Sequence, residues 1–256
     1  YEFANIKTKD FEFFQPEMER TDDSILCIAT ADWLLHGGDV SHYYSRYALE
    51  YPYPMGGYGG MFKAWSSKVA RQGIHEPYNS CGNGSAMRIA PVGWAFETER
   101  EVLEAAKVSA SCTHNHPEGI KGAQATALCI FLARQGHTAS DIRARIERDF
   151  GYDLSMSVEE LQRRYSWQGI DGKGDGGICQ DSVPQAIICA LQAKDFEDAI
   201  RNAISIGGDS DTIGCIAGGI AEALYGIPES IKERAWKYLD ETEGRTVRSF
   251  IQKYSI

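Results

Sequence analysis

An all-α fold is what this sequence predicts, and three observations carry that expectation. After Asp211 the apolar residues Ile213, Ile216, Ala217, Ile220, Ala221 and Leu224 fall at i, i+3, i+4, i+7, i+8 and i+11, one continuous stripe on a helix face. Comparable stripes run over about 24–36, 99–112, 117–135, 183–193 and 196–205. No segment shows the convincing period-two alternation that announces a half-buried strand.

Taken in order, the stripe at 24–36 follows Thr21-Asp22-Asp23-Ser24, a cluster of helix-start residues. The stripe at 117–135 opens on Pro117, whose fixed φ and missing N–H suit a first helical turn. Ser157 with Glu160 three residues later is a capping-box signature for a further helix. The helix after Asp211 is stopped by Gly226 and Pro228. Its Gly214, Gly218 and Gly219 cost propensity but remove bulk, so it is expected at the centre of the fold, against another backbone or a ligand. YPYPMGGYGG at 51–60 and SWQGIDGKGDGGIC at 166–179 break the periodicity and read as loops. Neither reads as a linker, since the flanking helices would each be left with half a core, and no solenoid repeat is present. One domain spanning 1–256 is therefore expected.

Composition narrows the function classes. With 43% hydrophobic and 24% charged residues among 256, the chain has apolar surface enough to fold, which excludes disorder. Mean hydropathy is −0.35 and no apolar run approaches the roughly 18 residues of a bilayer span. The 26 Lys and Arg against 36 Asp and Glu leave a net charge of −10, without a basic block, which disfavours a nucleic-acid backbone as partner. Seven cysteines stand singly, odd in number, with no CxxC pair and no zinc spacing, and several sit at apolar helix positions such as LCIA and GCIA. A reducing, cytoplasmic setting is expected, in which the sequon Asn83-Gly84-Ser85 is not glycosylated.

Chemistry concentrates in Thr21-Asp22-Asp23-Ser24 and Gly207-Gly208-Asp209-Ser210-Asp211-Thr212, each directly before an apolar helix. For either cluster alone capping is the plain explanation. A cap needs one side chain, however, and four carboxylates with two Thr hydroxyls would repel strongly if the helices abut without a cation. Oxygen donors with no His or Cys suit Mg²⁺, Mn²⁺ or Ca²⁺, and six suffice for a pair of ions about 3.5–4 Å apart. The spacing is not that of a twelve-residue EF-hand loop.

Three further segments have ligand-like composition. GGYGG at 56–60 offers backbone N–H groups as an anion nest, though an ordinary tight turn would look the same. Ser80-Cys81-Gly82-Asn83-Gly84-Ser85-Ala86-Met87-Arg88 reads as a polar loop entering a helix, or equally a capped surface turn. Thr113-His114-Asn115-His116-Pro117 suggests a nuclease or metal pair on its face, but the acidity of the chain and Pro117 favour a helix-entry loop.

In combination TDDS, GGYGGMFK, SCGNGSAMRIAPVG, THNHPEG, CQDSVPQAI and GGDSDTIGCIAGGIAEALYG resemble the ADP-ribosylglycohydrolase family, from Tyr1 to about Gly226. The resemblance implies a compact orthogonal bundle of helices with two Mg²⁺ or Mn²⁺ ions at the base of a cleft for ADP-ribose. Position by position, Thr21, Asp22 and Asp23 match the first metal motif, and Asp209, Asp211 and Thr212 the second. Gly59 and Gly60 match the diphosphate loop, and Ser80, Cys81, Gly82 and Asn83 the loop for the distal ribose and phosphate. His114 matches a histidine lining the cleft, and Glu2 a mobile glutamate that follows the family's first helix. The implied reaction is hydrolysis of an N- or O-glycosidic bond to ADP-ribose in a protein or small-molecule conjugate, with Asp23 and Glu2 nearest the proton transfers. A monomer is expected.

Two departures accompany the resemblance. The family's Gly-Ala-x-x-Gly-Asp-x-x-Gly helix would end just before Tyr1, and is expected to be cleaved, disordered or left out of this sequence. Ser24 and Ser210 stand where Thr is common. Two other functions use the same residues: a non-catalytic, crystallin-like or ADP-ribose-binding protein, against which the six intact donors argue, and a metal-dependent phosphohydrolase acting on the diphosphate.

Overall fold

The computed structural model describes residues 4–256. Among them the element order is α1 (Asp22–His36), α2 (Val40–Glu50), α3 (Gly60–Gln72), α4 (Gly84–Met87), α5 (Ala90–Ala95), α6 (Glu99–Ser111), α7 (Pro117–Arg134), α8 (Ala139–Phe150), α9 (Val158–Arg164), β1 (Tyr165–Ser166), β2 (Gly169–Ile170), α10 (Cys179–Leu191), α11 (Phe196–Ile206), α12 (Ser210–Tyr225), α13 (Glu229–Trp236) and α14 (Glu241–Tyr254). The fold is all-α, as expected. Its one departure is a tiny hairpin inside the glycine-rich segment, with Tyr165 opposite Ile170 and Ser166 opposite Gly169.

The core is built around α7 and α12. From Ala125 to Ala133 every residue of α7 is buried, the mark of a helix apolar all round and enclosed by others. It packs against α4, α5, α6, α8, α10 and α12, while α12 also packs against α11 and α1. Gly219 shows why α12 carries small residues, since a Cβ there would meet the Ala90 Cβ at 3.1 Å and Ile130 Cδ1 at 3.4 Å. The central position expected of this helix is thus real, and at Gly219 the close neighbours are helix side chains.

Helix boundaries follow local chemistry. Ser157 and Glu160 form the expected capping box at α9, with Glu160 N–H donating to Ser157 Oγ at 3.2 Å and Ser157 N–H to Glu160 Oε2 at 2.8 Å. Pro117 is in the first turn of α7, capped by His116. α10 begins at Cys179 rather than near 183 and carries Pro184 inside it. The missing N–H costs only a bond to the carbonyl of Gln180, in the first turn, while Cys179 N–H is held by the Cys81 carbonyl at 2.9 Å. α2, α3, α8, α13 and α14 were not expected from periodicity. α8 buries only Ile142 and Ile146 and α13 buries nothing, so their apolar stripes are too narrow to register.

The seven cysteines are free thiols, and burial pushes that of Cys179 up to about 12. Among the described residues no helix is long and apolar enough to cross a membrane.

Two ties fix the site-bearing ends of α1 and α12. Arg20 pairs with the fully buried Glu243 and lies over the Tyr51 ring, 5.2 Å from its centroid, while its carbonyl accepts from Met55 N–H at 3.0 Å. The extended segment before α1 lies along α11. Arg201 Nη1 donates to the carbonyls of Lys9 and Phe11, both at 2.8 Å, and Lys7 Nζ donates to those of Tyr165 and Ile206.

Candidate functional site

Thr21 and Asp209 hold the N-cap positions of α1 and α12, yet neither side chain makes a capping hydrogen bond. That observation removes the plain explanation of the two acidic clusters. Thr21 Oγ1 donates instead to Asp23 Oδ2 at 2.7 Å, and Asp209 Oδ2 accepts from Asn83 Nδ2 at 2.6 Å. Asp23 is 3% exposed. Burial pushes its carboxyl well above the usual range, and Asp211, Asp22 and Asp209 push the same way against the opposing Thr21 bond. Asp23 Oδ1 and Asp211 Oδ1 are buried with no hydrogen-bond partner among the described residues.

Four carboxylates thus share one place, two of them with an orphaned buried oxygen, and no basic side chain is among the causes that shift Asp23. Such groups are expensive to bury unless something cationic completes them. An all-oxygen set from Thr21, Asp22, Asp23, Asp209, Asp211 and Thr212 fits a hard divalent ion and does not suit a soft one.

A cleft of about 550 Å³ opens onto this cluster, lined by Asp22, Asp209, Asp211 and Thr212 together with Gly59, Gly60, Ser80, Gly82, Asn83 and His114. Thr21, Asp23 and Cys81 do not line it. Asp23 is buried behind its wall, and Cys81 is half-buried, its carbonyl occupied by Cys179 N–H. Glu2 lies outside the described residues.

The cleft walls follow from local sequence. Gly59 is the N-cap of α3 and Gly60 its first residue, so the unpaired amides of a 13-residue helix start at the cleft. A Cβ on either glycine would meet no protein atom within 4 Å. Asn83 is held by its N–H to the Gly177 carbonyl at 3.0 Å, and Gly82 bridges Ile178 in antiparallel fashion. The glycine-rich segment after β2, read from the sequence only as a loop, is therefore a cleft wall. His114 is 6% exposed, and burial, then the nearby Arg88 guanidinium, hold its imidazole well below the usual histidine range.

Tyr78 and Gly177 also line the cleft and lie outside the segments singled out for ligand-like composition, whereas Tyr58, Met87 and Arg88 line it from within GGYGG and the 80–88 loop. The five glycines between 169 and 177 were the available signal for Gly177, whereas Tyr78 had none. Asp39, His42 and His75 form a separate group, with one ligand atom from each lying within 4.8 Å of the others. None of the three lines the cleft.

The sequence profile described as ADP-ribosylglycohydrolase matches residues 1–254. The chain belongs to the ADP-ribosylglycohydrolase family. It is thereby an enzyme of the glycosidic-bond hydrolase class. Human ADP-ribosylhydrolase ARH3 is 31% identical over 280 residues, covering 87% of this chain and 76% of that protein. ADP-ribosylarginine hydrolase Tri1 of Pseudomonas putida is 29% identical over 184 residues, 66% of this chain and 46% of that one. A solved structure described as an ADP-ribosylglycohydrolase-related protein complex superimposes with a TM-score of 0.67 at 24% identity, over 91% of this chain and 81% of that one, and shares the fold.

Proposed function

We propose that the chain is a divalent-metal-dependent hydrolase that releases ADP-ribose from an N- or O-glycosidic conjugate, on a protein or a small molecule. The observation that carries this reading is the pair of orphaned buried oxygens on Asp23 and Asp211, in a carboxylate cluster whose Asp22, Asp209 and Asp211 line the same cleft as the start of α3. Thr21, Asp22, Asp23, Asp209, Asp211 and Thr212 would hold two Mg²⁺ or Mn²⁺ ions. Such ions supply Lewis acidity and lower the pKa of bound water.

The protein's own groups supply the rest. The amides at Gly59 and Gly60 bind the diphosphate, where the helix dipole favours negative charge. Ser80, Gly82 and Asn83 hold the distal ribose and its phosphate, and Asn83 also fixes the rotamer of Asp209. Hydrolysis breaks the bond from C1″ to the leaving nitrogen or oxygen. Water gives hydroxide to the carbon and a proton to the leaving group, and a carboxylate, for which Asp23 and Glu2 are the candidates, takes and returns that proton. Holding the ribose in place turns a bimolecular attack into an effectively unimolecular one.

Incubation with a panel of ADP-ribose conjugates, read by mass, tests this. Free ADP-ribose in Mg²⁺ or Mn²⁺, and none in chelator, is the expected result. AMP with ribose phosphate would instead mark a phosphohydrolase, and no product a binding protein.

A further inference from the structure

Arg88, fully buried with its guanidinium carbon over the Tyr44 ring at 4.0 Å from the centroid, begins a short chain of hydrogen bonds that ends at the cleft. Its Nη2 donates to the Ser109 carbonyl at 2.9 Å and to Thr113 Oγ1 at 2.8 Å. Thr113 Oγ1 in turn lies 2.7 Å from His114 Nδ1. A guanidinium has donors only, so Thr113 Oγ1 must accept from it. The hydroxyl still has one proton of its own to donate, and Nδ1 lies 2.7 Å away to accept it. A neutral imidazole accepting at Nδ1 carries its hydrogen on Nε2.

The other ring nitrogen faces glycines. A Cβ on Gly84 would lie 3.2 Å from His114 Nε2, and one on Gly82 3.5 Å from it, and both glycines line the cleft. Among the described residues Nε2 makes no hydrogen bond of its own.

We propose that Arg88 and Thr113 are positioning residues that lock His114 in the Nε2–H tautomer, so that it offers a donor to a ribose or phosphate oxygen of the bound ligand. The inference rests on the ADP-ribose reading above. It makes His114 selective for an acceptor atom, because a ligand amine in the same place would meet N–H against N–H. Burial beside the Arg88 charge disfavours the doubly protonated ring, so the donor keeps its direction across neutral pH.

The test uses ¹⁵N resonances of the His114 ring in the ligand-free protein, assigned by difference against His114→Gln. The parent is expected to show protonated Nε2 and unprotonated Nδ1. Thr113→Val keeps the shape and removes the relay, so the ring should show mixed tautomers and ADP-ribose affinity should fall about tenfold with Mg²⁺ affinity unchanged. Thr113→Ser should restore both. An Nδ1–H tautomer in the parent overturns the inference, and so does a valine variant with parental spectrum and affinity. The parent spectrum alone settles the tautomer where the valine variant fails to fold. Loss of ADP-ribose binding in the parent itself would strike the functional reading, and the tautomer would still be read independently.

Discussion

Asn5 and Gly208 bond each other twice: Asn5 Nδ2 donates to the Gly208 carbonyl at 3.0 Å, and Gly208 N–H donates back to Asn5 Oδ1 at 2.9 Å. The residue after Gly208 is Asp209. The N-terminal segment is thus stitched to the loop that presents the second acidic motif, at a position where φ of +71° favours glycine. Asn5→Ala leaves that buried N–H without its partner and should cost about 1–3 kcal/mol in denaturant unfolding. Stability equal to the parent would mean that the loop holds its shape unaided.

Glu2 precedes this stitch by three residues. Glu2→Gln is expected to keep ADP-ribose affinity within a few fold and to lower turnover by roughly 10²-fold, as loss of an acid–base group does. Single-turnover rates with a cleavable conjugate check this, and a parental rate would leave Asp23 as the remaining candidate base.

Asp211→Asn should separate the two consequences of the carboxylate cluster. In chelator the variant should melt about 2–4 °C higher than the parent, because removing one of the mutually repelling charges recovers roughly 1 kcal/mol. With Mg²⁺ its melting temperature should no longer rise, and calorimetry should find the ion's affinity lost. Asp22→Asn should likewise lose affinity. Unchanged Mg²⁺ binding in both would contradict the donor set.

Gly60→Val tests the diphosphate wall without disturbing the fold. An added side chain meets no protein atom within 4 Å at its Cβ, so the melting temperature of the free protein should shift little. ADP-ribose, which should raise that of the parent by mass action, should no longer do so. A variant stabilised by ADP-ribose as well as the parent would move the diphosphate elsewhere.

Asp39 sets a pH dependence away from the site. Partial burial works against ionisation, yet the N–H and hydroxyl of Ser41, with His75 and His42, hold its carboxyl below the usual range. A lowered folded-state value means that its stabilisation is complete above the unfolded carboxylate pKa of about 3.9 and is lost as pH falls through the folded value. Asp39→Ala, which also loses the α2 cap, should cost about 1 kcal/mol at pH 7 and progressively less below pH 4. A stability difference that stays constant down to pH 2 would refute that linkage.

The parts of the fold legible in the sequence are those where one helix buries a wide face. The Ile213-to-Leu224 stripe announces α12 because nearly every turn meets the core, whereas α13, with no buried residue, leaves no pattern to find. The acidic floor was legible for a different reason, since Asp22, Asp23, Asp209 and Asp211 are more carboxylates than two caps require. Arg88 and Thr113 were not, because their effect on His114 depends on a contact across 25 residues of chain, between the residue just after α4 and the loop just after α6. Tyr78 reaches the cleft from a segment without periodicity, and Gly177 from a loop whose pairing with Asn83 only the folded chain reveals.

The close seat of Gly219 reaches further than the core it fills. Eight residues separate it from Asp211, about 12 Å along a rigid α-helix. Whatever sets the depth of α12 against Ala90 and Ile130 also sets the height of the carboxylates at its other end. A methyl group added at 219 would act on them as a shim under the far leg of a beam, so the spacing of the acidic floor depends partly on a glycine that does not line the cleft.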